Sequence, residues 1–191
     1  MKKASLFISL LAALIIAPLA AAETIRYKID PVHSGITFKV RHFINQVPGT
    51  FTDFEGEIHF NPENPAENKA IATIHVNTVD TRNDRRDNHL RSDDFFGAED
   101  FPAMEYESDE WHPMGDGRFH VTGHLTLLGK TYPVEMMVHY LGEVEGNNIL
   151  RSGWVGQAAI DRTQWGMDYG VGGPLGRTVQ IELNIQGHRK D

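Results

Sequence analysis

This 191-residue sequence predicts an all-β fold, either a sandwich or an up-and-down barrel of roughly eight to ten strands. Apolar residues recur at every second position through most of the chain, and Gly, Pro and Asn clusters interrupt these runs at short intervals. No repeat period or linker divides the series, so one core or barrel is expected.

The opening residues, MKKASLFISLLAALIIAPLAAAET, stand apart from that pattern. Lys2 and Lys3 form a basic start, Leu6 to Ala17 an apolar stretch, and Ala20 to Ala22 a small-residue cleavage site. These are the parts of a secretory signal peptide, with cleavage expected after Ala22, export to the periplasm, and a single mature domain over 23–191. The stretch is short for a membrane span, and no later run resembles a second one. The chain contains no Cys, which excludes disulfides and a cysteine-linked lipid anchor. Without Lys2 and Lys3, the 18 Lys+Arg fall to 16 against 26 Asp+Glu, a formal charge of −10. That excess argues against nucleic acid and anionic membrane surfaces as partners.

The strands follow in order. Ile25, Tyr27 and Ile29 alternate up to Asp30-Pro31, and Ile36, Phe38 and Val40 alternate after it. Phe54, Ile58 and Phe60 continue, with Phe51 out of phase, which implies a bulge or bend near Asp53. NPENPAEN, residues 61–68, reads as a loop before Ala72, Ile74 and Val76. Further strands are expected at 104–108, 118–123, 125–127, 134–140, 154–160 and 179–185, with a hairpin at Leu128-Gly129-Lys130.

Two segments read as short helices. In TRNDRRDNHLRSDDFFGAEDFP, residues 81–102, Thr81 and Asp84 resemble a capping box, and a helix from about Arg82 to Ser92 places Arg86, Leu90 and Asp93 near one face. The second helix is DRTQWGM, residues 161–167. In the first, four Arg and four Asp cancel between Arg82 and Asp94, so it is no nucleic-acid patch. An adjacent arginine keeps a carboxylate ionised, which suits a salt bridge better than a general acid. The expectation is a structural helix pinned by Arg–Asp bonds among Arg86, Asp87 and Asp93, its Phe95 and Phe96 end covering a barrel mouth.

Ten histidines raise the question of a metal. His120 and His124 lie in strand text, where four residues span about 13 Å, too far for one zinc. No His-x-His occurs, and no metal site or cofactor is predicted. No Gly-x-Ser-x-Gly elbow exists, and GMDYGVGGPLG, residues 166–176, leads into a strand rather than a helix, so it is a turning connection and not a phosphate loop. Parity along the strand of Ile36, Phe38 and Val40 points His42 inward, either as a core histidine with a backbone partner or as a polar contact near a cavity mouth.

YKIDPVHSGITFKVRHF, GTFTDFEGEIHFNPENP, VDTRNDRRDNHLRSDDFFGAEDFPAMEYES and GHLTLLGKTYPVEM, in that order, resemble the YceI-like family of secreted polyisoprenoid-binding proteins over nearly all of the mature chain. The resemblance implies a lipocalin-like elongated antiparallel β-barrel of about eight strands, with a tunnel for a long-chain amphiphile such as an isoprenoid quinone or polyprenyl phosphate. It carries no catalytic residues. The inward set expected to line that tunnel is Phe38, Val40, Phe54, Ile58, Leu90, Phe95 and Phe96. Phe43 and Ile44 stand where many relatives have a small residue, and pointing inward they would shorten the tunnel.

The function implied is a periplasmic binding or carrier protein for an isoprenoid or other amphiphilic lipid, without catalysis. Two other classes stay open: a hydrolase using the Asp/His-rich segment 84–94, and a protein-interaction module with a filled barrel. The oligomeric state is also open, a homodimer included.

Overall fold

The structure, a computed structural model, describes residues 23–189. The expected signal peptide, residues 1–22, lies outside the described residues.

Eleven strands form one sheet: β1 (Ile25–Ile29), β2 (Gly35–His42), β3 (Asn45–Phe51), β4 (Phe54–Phe60), β5 (Lys69–His75), β6 (Val79–Asp80), β7 (Ala103–Gly115), β8 (Arg118–Leu127), β9 (Lys130–Gly146), β10 (Ile149–Asp161) and β11 (Leu175–Arg189). Every pairing is antiparallel, and β1 pairs with both β4 and β11, so the sheet closes on itself. β1 and β2 lie end to end along β11, β3 and β4 form the next broken strand, and β5 and the short β6 the one beside it. Counted that way, the molecule is a closed eight-stranded antiparallel barrel. Closure leaves no long sheet edge to pair with another chain.

Local chemistry explains the breaks. At 30–34 the Asp30 carboxylate accepts from Val32 N at 3.0 Å and contacts His33 Nδ1 at 2.7 Å, folding Asp30-Pro31 into a tight turn. At Thr52–Asp53, Thr78 receives the freed backbone: its carbonyl accepts from Thr52 N and its hydroxyl from Asp53 N. The break lets both Phe51 and Phe54 face inward, buried at 6% and 3% exposure, which accounts for their phase slip.

β7, β8, β9 and β10 are joined by three two-residue hairpins, Asp116-Gly117, Leu128-Gly129 and Asn147-Asn148. All six residues have φ between 51° and 69°, as type I′ turns require. These long hairpins exceed the sequence expectation. Residues 109–115, 141–146 and 149–153 are strand, although their alternation is broken by bulges at Ser108/Glu110 and Gly153/Trp154.

Among the described residues one α-helix, α1 (Asp84–Arg91), follows β6. Its cap is Asn83, whose side chain accepts from Arg86 N at 3.0 Å, and not the Thr81–Asp84 box expected from sequence. Thr81 is committed elsewhere: its backbone N and hydroxyl both donate to Asp87 Oδ1. The second expected helix shrinks to a 3-10 turn, Arg162–Trp165, capped by Asp161 and ended by Gly166 at φ 96°.

Candidate functional site

The inward side chains of this barrel do not fill it. They enclose a cavity whose wall includes residues from β1, β2, β3, β4, β5 and β7 to β11. The alternation of each strand supplies them: Ile36, Phe38 and Val40 on β2, Val134, Met136 and Val138 on β9, Val179, Ile181 and Leu183 on β11. Room comes from small inward residues, Ala70 and Ala72 on β5 and Gly156 and Ala158 on β10. The void holds about 220 Å³ of space open to the centre of a water molecule. One water needs about 10–15 Å³ of such space, so there is room for on the order of fifteen water- or methylene-sized groups.

A packed cluster lies toward each end. Along β8, Leu125 and Leu127 belong to one cluster with Phe51, Val79 and Trp165, while Phe119 and Val121 belong to the other with Tyr27, Phe60 and Trp154. The second is aromatic: Phe60 meets Tyr140 at 4.6 Å between ring centroids, and Tyr27 meets Trp154 edge-on at 5.2 Å. The Tyr27 hydroxyl donates to the Glu143 carboxylate, and burial, followed by that bond, raises its pKa far above the ordinary value.

At the first end, α1 and the residues after it bring Leu90, Phe95 and Phe96 to the wall. Phe96 packs edge-on against Phe51 at 5.6 Å, and Phe95 against Tyr169 at 5.4 Å. Arg162, 3% exposed, lies 5.9 Å from the Phe95 ring centre and donates to the carbonyls of Gly176, Met167 and Tyr169. Burial pulls its pKa down, and Asp168 and Asp161 partly offset this. It fastens the 166–176 connection over the barrel end, where Gly166, Gly170 and Gly172 take positive φ.

Of the residues singled out from sequence, Phe38, Val40, Ile58, Leu90, Phe95 and Phe96 are in the cavity wall. Phe54 is not; it is buried in the cluster around Phe51 and Val79, because the Thr52–Asp53 break shifts its position. His42 is exposed and leans edge-on against Phe43 at 4.8 Å. Parity along β2 holds as far as Val40, but His42 ends the strand, where facing inward no longer means being covered. Phe43 and Ile44 form the turn beyond it at 63% and 102% exposure, so they do not shorten the cavity.

The expected Arg–Asp network is also rearranged. Arg86 donates to the Thr81 hydroxyl and carbonyl, both at 2.7 Å, and Arg91 to the carbonyls of Asn77 and Val79. Asp87 is 5% exposed and takes the Thr81 donors. Asp93 is exposed and outside this network. The arginines therefore bind main-chain carbonyls beside the short β6, and His89 Nε2 meets the Asp94 carboxylate at 2.8 Å.

Among the described residues no Asp, Glu or His lines the cavity, and no three His, Asp or Glu gather as for a metal. No helix among them is long and apolar enough to cross a membrane. His120 pairs with Glu135 and His124 with Asp109 instead. Sequence reasoning passed over Tyr106, Trp154 and Arg162 in the wall. The alternation through Met104–Ser108 and Trp154–Ile160 was a signal for the first two; nothing marked Arg162, a charged residue in helical text.

Residues 27–187 match the YceI-like domain. The chain belongs to the YceI-like family. A UPF0312 protein of Pseudomonas paraeruginosa is 36% identical over 170 residues, covering 86% of this chain and 87% of the relative. One from Shewanella oneidensis is 32% identical over 192 residues, covering 98% of this chain and 100% of the relative. Two crystallised or solved proteins share the YceI-like architecture. Burkholderia cenocepacia BcnA superimposes with a TM-score of 0.76 at 23% identity, over 83% of this chain and 98% of BcnA. A polyisoprenoid binding domain from Saccharophagus degradans, implicated in plant cell wall breakdown, does so with a TM-score of 0.67 at 14% identity, over 87% and 99%.

Proposed function

We propose that this YceI-like protein is a periplasmic binding or carrier protein. It is exported by residues 1–22 with cleavage after Ala22, and it sequesters a long-chain isoprenoid or similar amphiphile without chemical change. The observation that carries this reading is the cavity walled by hydrocarbon and aromatic side chains from every strand but the short β6. The polyisoprenoid-binding neighbour supports the ligand class. An interaction module with a filled barrel would lack such a void, and a hydrolase would need carboxylates facing a cleft; Asp87 instead is occupied by Thr81.

The energetics allow tight binding without a charged anchor. Fifteen to twenty buried methylenes at ~0.8 kcal/mol each contribute about 12–16 kcal/mol gross. Association and chain ordering cost about 4–15 kcal/mol. The void suits a chain of on the order of fifteen to twenty carbons, with any further length emerging at an end.

Organic extraction and mass spectrometry of the protein from its own periplasm, beside intact mass under native conditions, tests this. A stoichiometric lipid is the expected result, and the intact mass shows whether Glu23 is the first residue. A bare protein whose melting temperature is also unmoved by quinones, polyprenyl phosphates and fatty acids would overturn the reading.

A further inference from the structure

The tight turns of the barrel are not alike. Asp116-Gly117 and Asn147-Asn148 use short polar residues and glycine, which tolerate positive φ. Leu128 is bulky at φ 52°, but it is half-buried and packs on the cluster around Phe51. The turn from β2 to β3 has neither excuse. Its two residues are Phe43 and Ile44, and Phe43 takes φ 52°, uncommon for a large side chain. The Phe43 ring leans on His42, itself exposed, and Ile44 is 102% exposed.

This apolar tip stands at the plugged end of the barrel. His42 pairs with Leu175, and Phe43 N donates to the Pro174 carbonyl at 2.7 Å, so the turn is bonded to the 166–176 connection. Val40 and Leu175, beside the turn on the two chains, are in the cavity wall. Tyr169 of the same connection is half-exposed.

A protein partner suits such a tip poorly. A standard interface takes about 800 Å² from each side, whereas a large aromatic side chain buries about 150–250 Å². A bilayer surface needs no matching pocket, because its headgroup–acyl boundary takes up isolated apolar side chains. Charge points the same way. Residues 38–52 and 169–180 contain no Asp or Glu, in a chain that has 26. Lys39 is paired with Glu182 and Arg177 with Asp161, which leaves Arg41 as the exposed cation of these segments. Its Nη1 donates to the Phe43 carbonyl at 2.7 Å, and the rest of the guanidinium fork suits a phosphate oxygen. The acidic excess of the whole chain repels an anionic surface at long range. The lipid that fits is therefore zwitterionic, with a phosphate but no net charge.

We propose that the Phe43-Ile44 turn is a membrane-docking tip. Both side chains enter the headgroup–acyl boundary of a zwitterionic bilayer while Arg41 binds a lipid phosphate. Docking sets the covered end of the barrel, and the connection bonded to the turn, against the bilayer. This goes beyond the lipid-binding reading, since it concerns where the barrel meets a membrane and not what the cavity holds.

The chain has no Cys, so a single introduced cysteine can be labelled uniquely. Ile44→Cys and, at the opposite end of the barrel, Asn147→Cys each carry a nitrobenzoxadiazole label on the mature protein. With phosphatidylcholine–phosphatidylethanolamine vesicles, emission from residue 44 should brighten and shift to the blue, and emission from residue 147 should not. In flotation with the same vesicles, Phe43→Asn/Ile44→Gly should lower association about tenfold or more. Asn-Gly is a favoured hairpin turn, so this variant should melt no lower than the parent protein. Arg41→Gln should weaken association about threefold. No shift at residue 44, or equal shifts at 44 and 147, overturns the inference, while lipid extracted from the same protein would still support the binding reading. A shift at residue 44 that follows protein concentration without vesicles puts a second copy at the tip and also overturns it. Absence of extracted lipid overturns the binding reading alone if residue 44 still responds to vesicles.

Discussion

Asp87 shows how one side chain can look catalytic in a sequence and be structural in the fold. It sits among Arg, Asp and His, but its Oδ1 accepts both the backbone N–H, at 2.9 Å, and the hydroxyl of Thr81. Asp87→Ala should destabilise the protein by about 2–3 kcal/mol in urea unfolding, because a buried N–H loses a charged acceptor. Asp87→Asn keeps an acceptor oxygen and should cost about half as much. Gly49 makes the opposite point, since it carries no chemistry yet controls the cavity. A Cβ there would come 2.2 Å from Phe38 Cζ, so Gly49→Ala must push that ring aside. With the β3 backbone behind it, the ring moves toward the lumen. The expected cost is about 1–3 kcal/mol, with weaker uptake of the natural lipid, measured by thermal unfolding and by lipid content after purification.

Among the elements, α1 and the 162–176 connection close one end of the barrel, held by side-chain bonds to main-chain carbonyls and not by the sheet ladder. Asn83→Ala removes the cap of α1 and should cost about 1 kcal/mol. Hydrogen exchange should quicken in the helix amides before the barrel amides, and bound lipid should dissociate faster. Unchanged lipid release would mean that the ligand does not pass this end. Asp161 anchors the other closing segment. Its hydrogen bond from Thr163, and further bonds and charge from Arg177, hold its pKa below the ordinary carboxylate value despite some burial. A depressed folded pKa contributes stability that is complete above the unfolded value, about 3.9, and is lost as pH falls through the folded one. Thermal stability should therefore decline below about pH 4, and Asp161→Asn should flatten that decline. An identical acid profile in the variant would show that Asp161 is not responsible.

At the scale of the molecule, the void follows from the balance of large and small inward residues around a closed eight-stranded barrel, a size at which side chains either fill the interior or leave room for one ligand. Enlarging the small ones should reverse it. Ala72→Phe with Ala158→Phe should fill the lumen, abolish lipid retention and leave melting temperature equal or higher, because both residues are in the cavity wall. Loss of folding in the single variants as well would instead mean that the wall cannot spare this space.

The period-two alternation and frequent turns already determined an all-β chain, and the 81–102 segment its helix with an aromatic end, since strand parity and local turn chemistry are written in neighbouring residues; the closed barrel was implied by the family resemblance. Parity sufficed for Phe38, Val40 and Ile58. It turned Phe54 inward but did not reveal that this ring packs beside Phe51 and Val79 outside the cavity wall, nor that His42 at the end of β2 is exposed, because the break at Thr52–Asp53 and the end of the wall arise from pairings with residues distant in the chain. The long hairpins around Asp116-Gly117 and Asn147-Asn148 were obscured for the same reason: bulges interrupt the alternation that periodicity depends on. Only the tertiary structure decided that the interior is hollow, that the helix arginines serve main-chain carbonyls, and that Phe43 and Ile44 are left outside the core. Each of these depends on the sum of side chains that meet across the barrel, and no local stretch of sequence contains that sum.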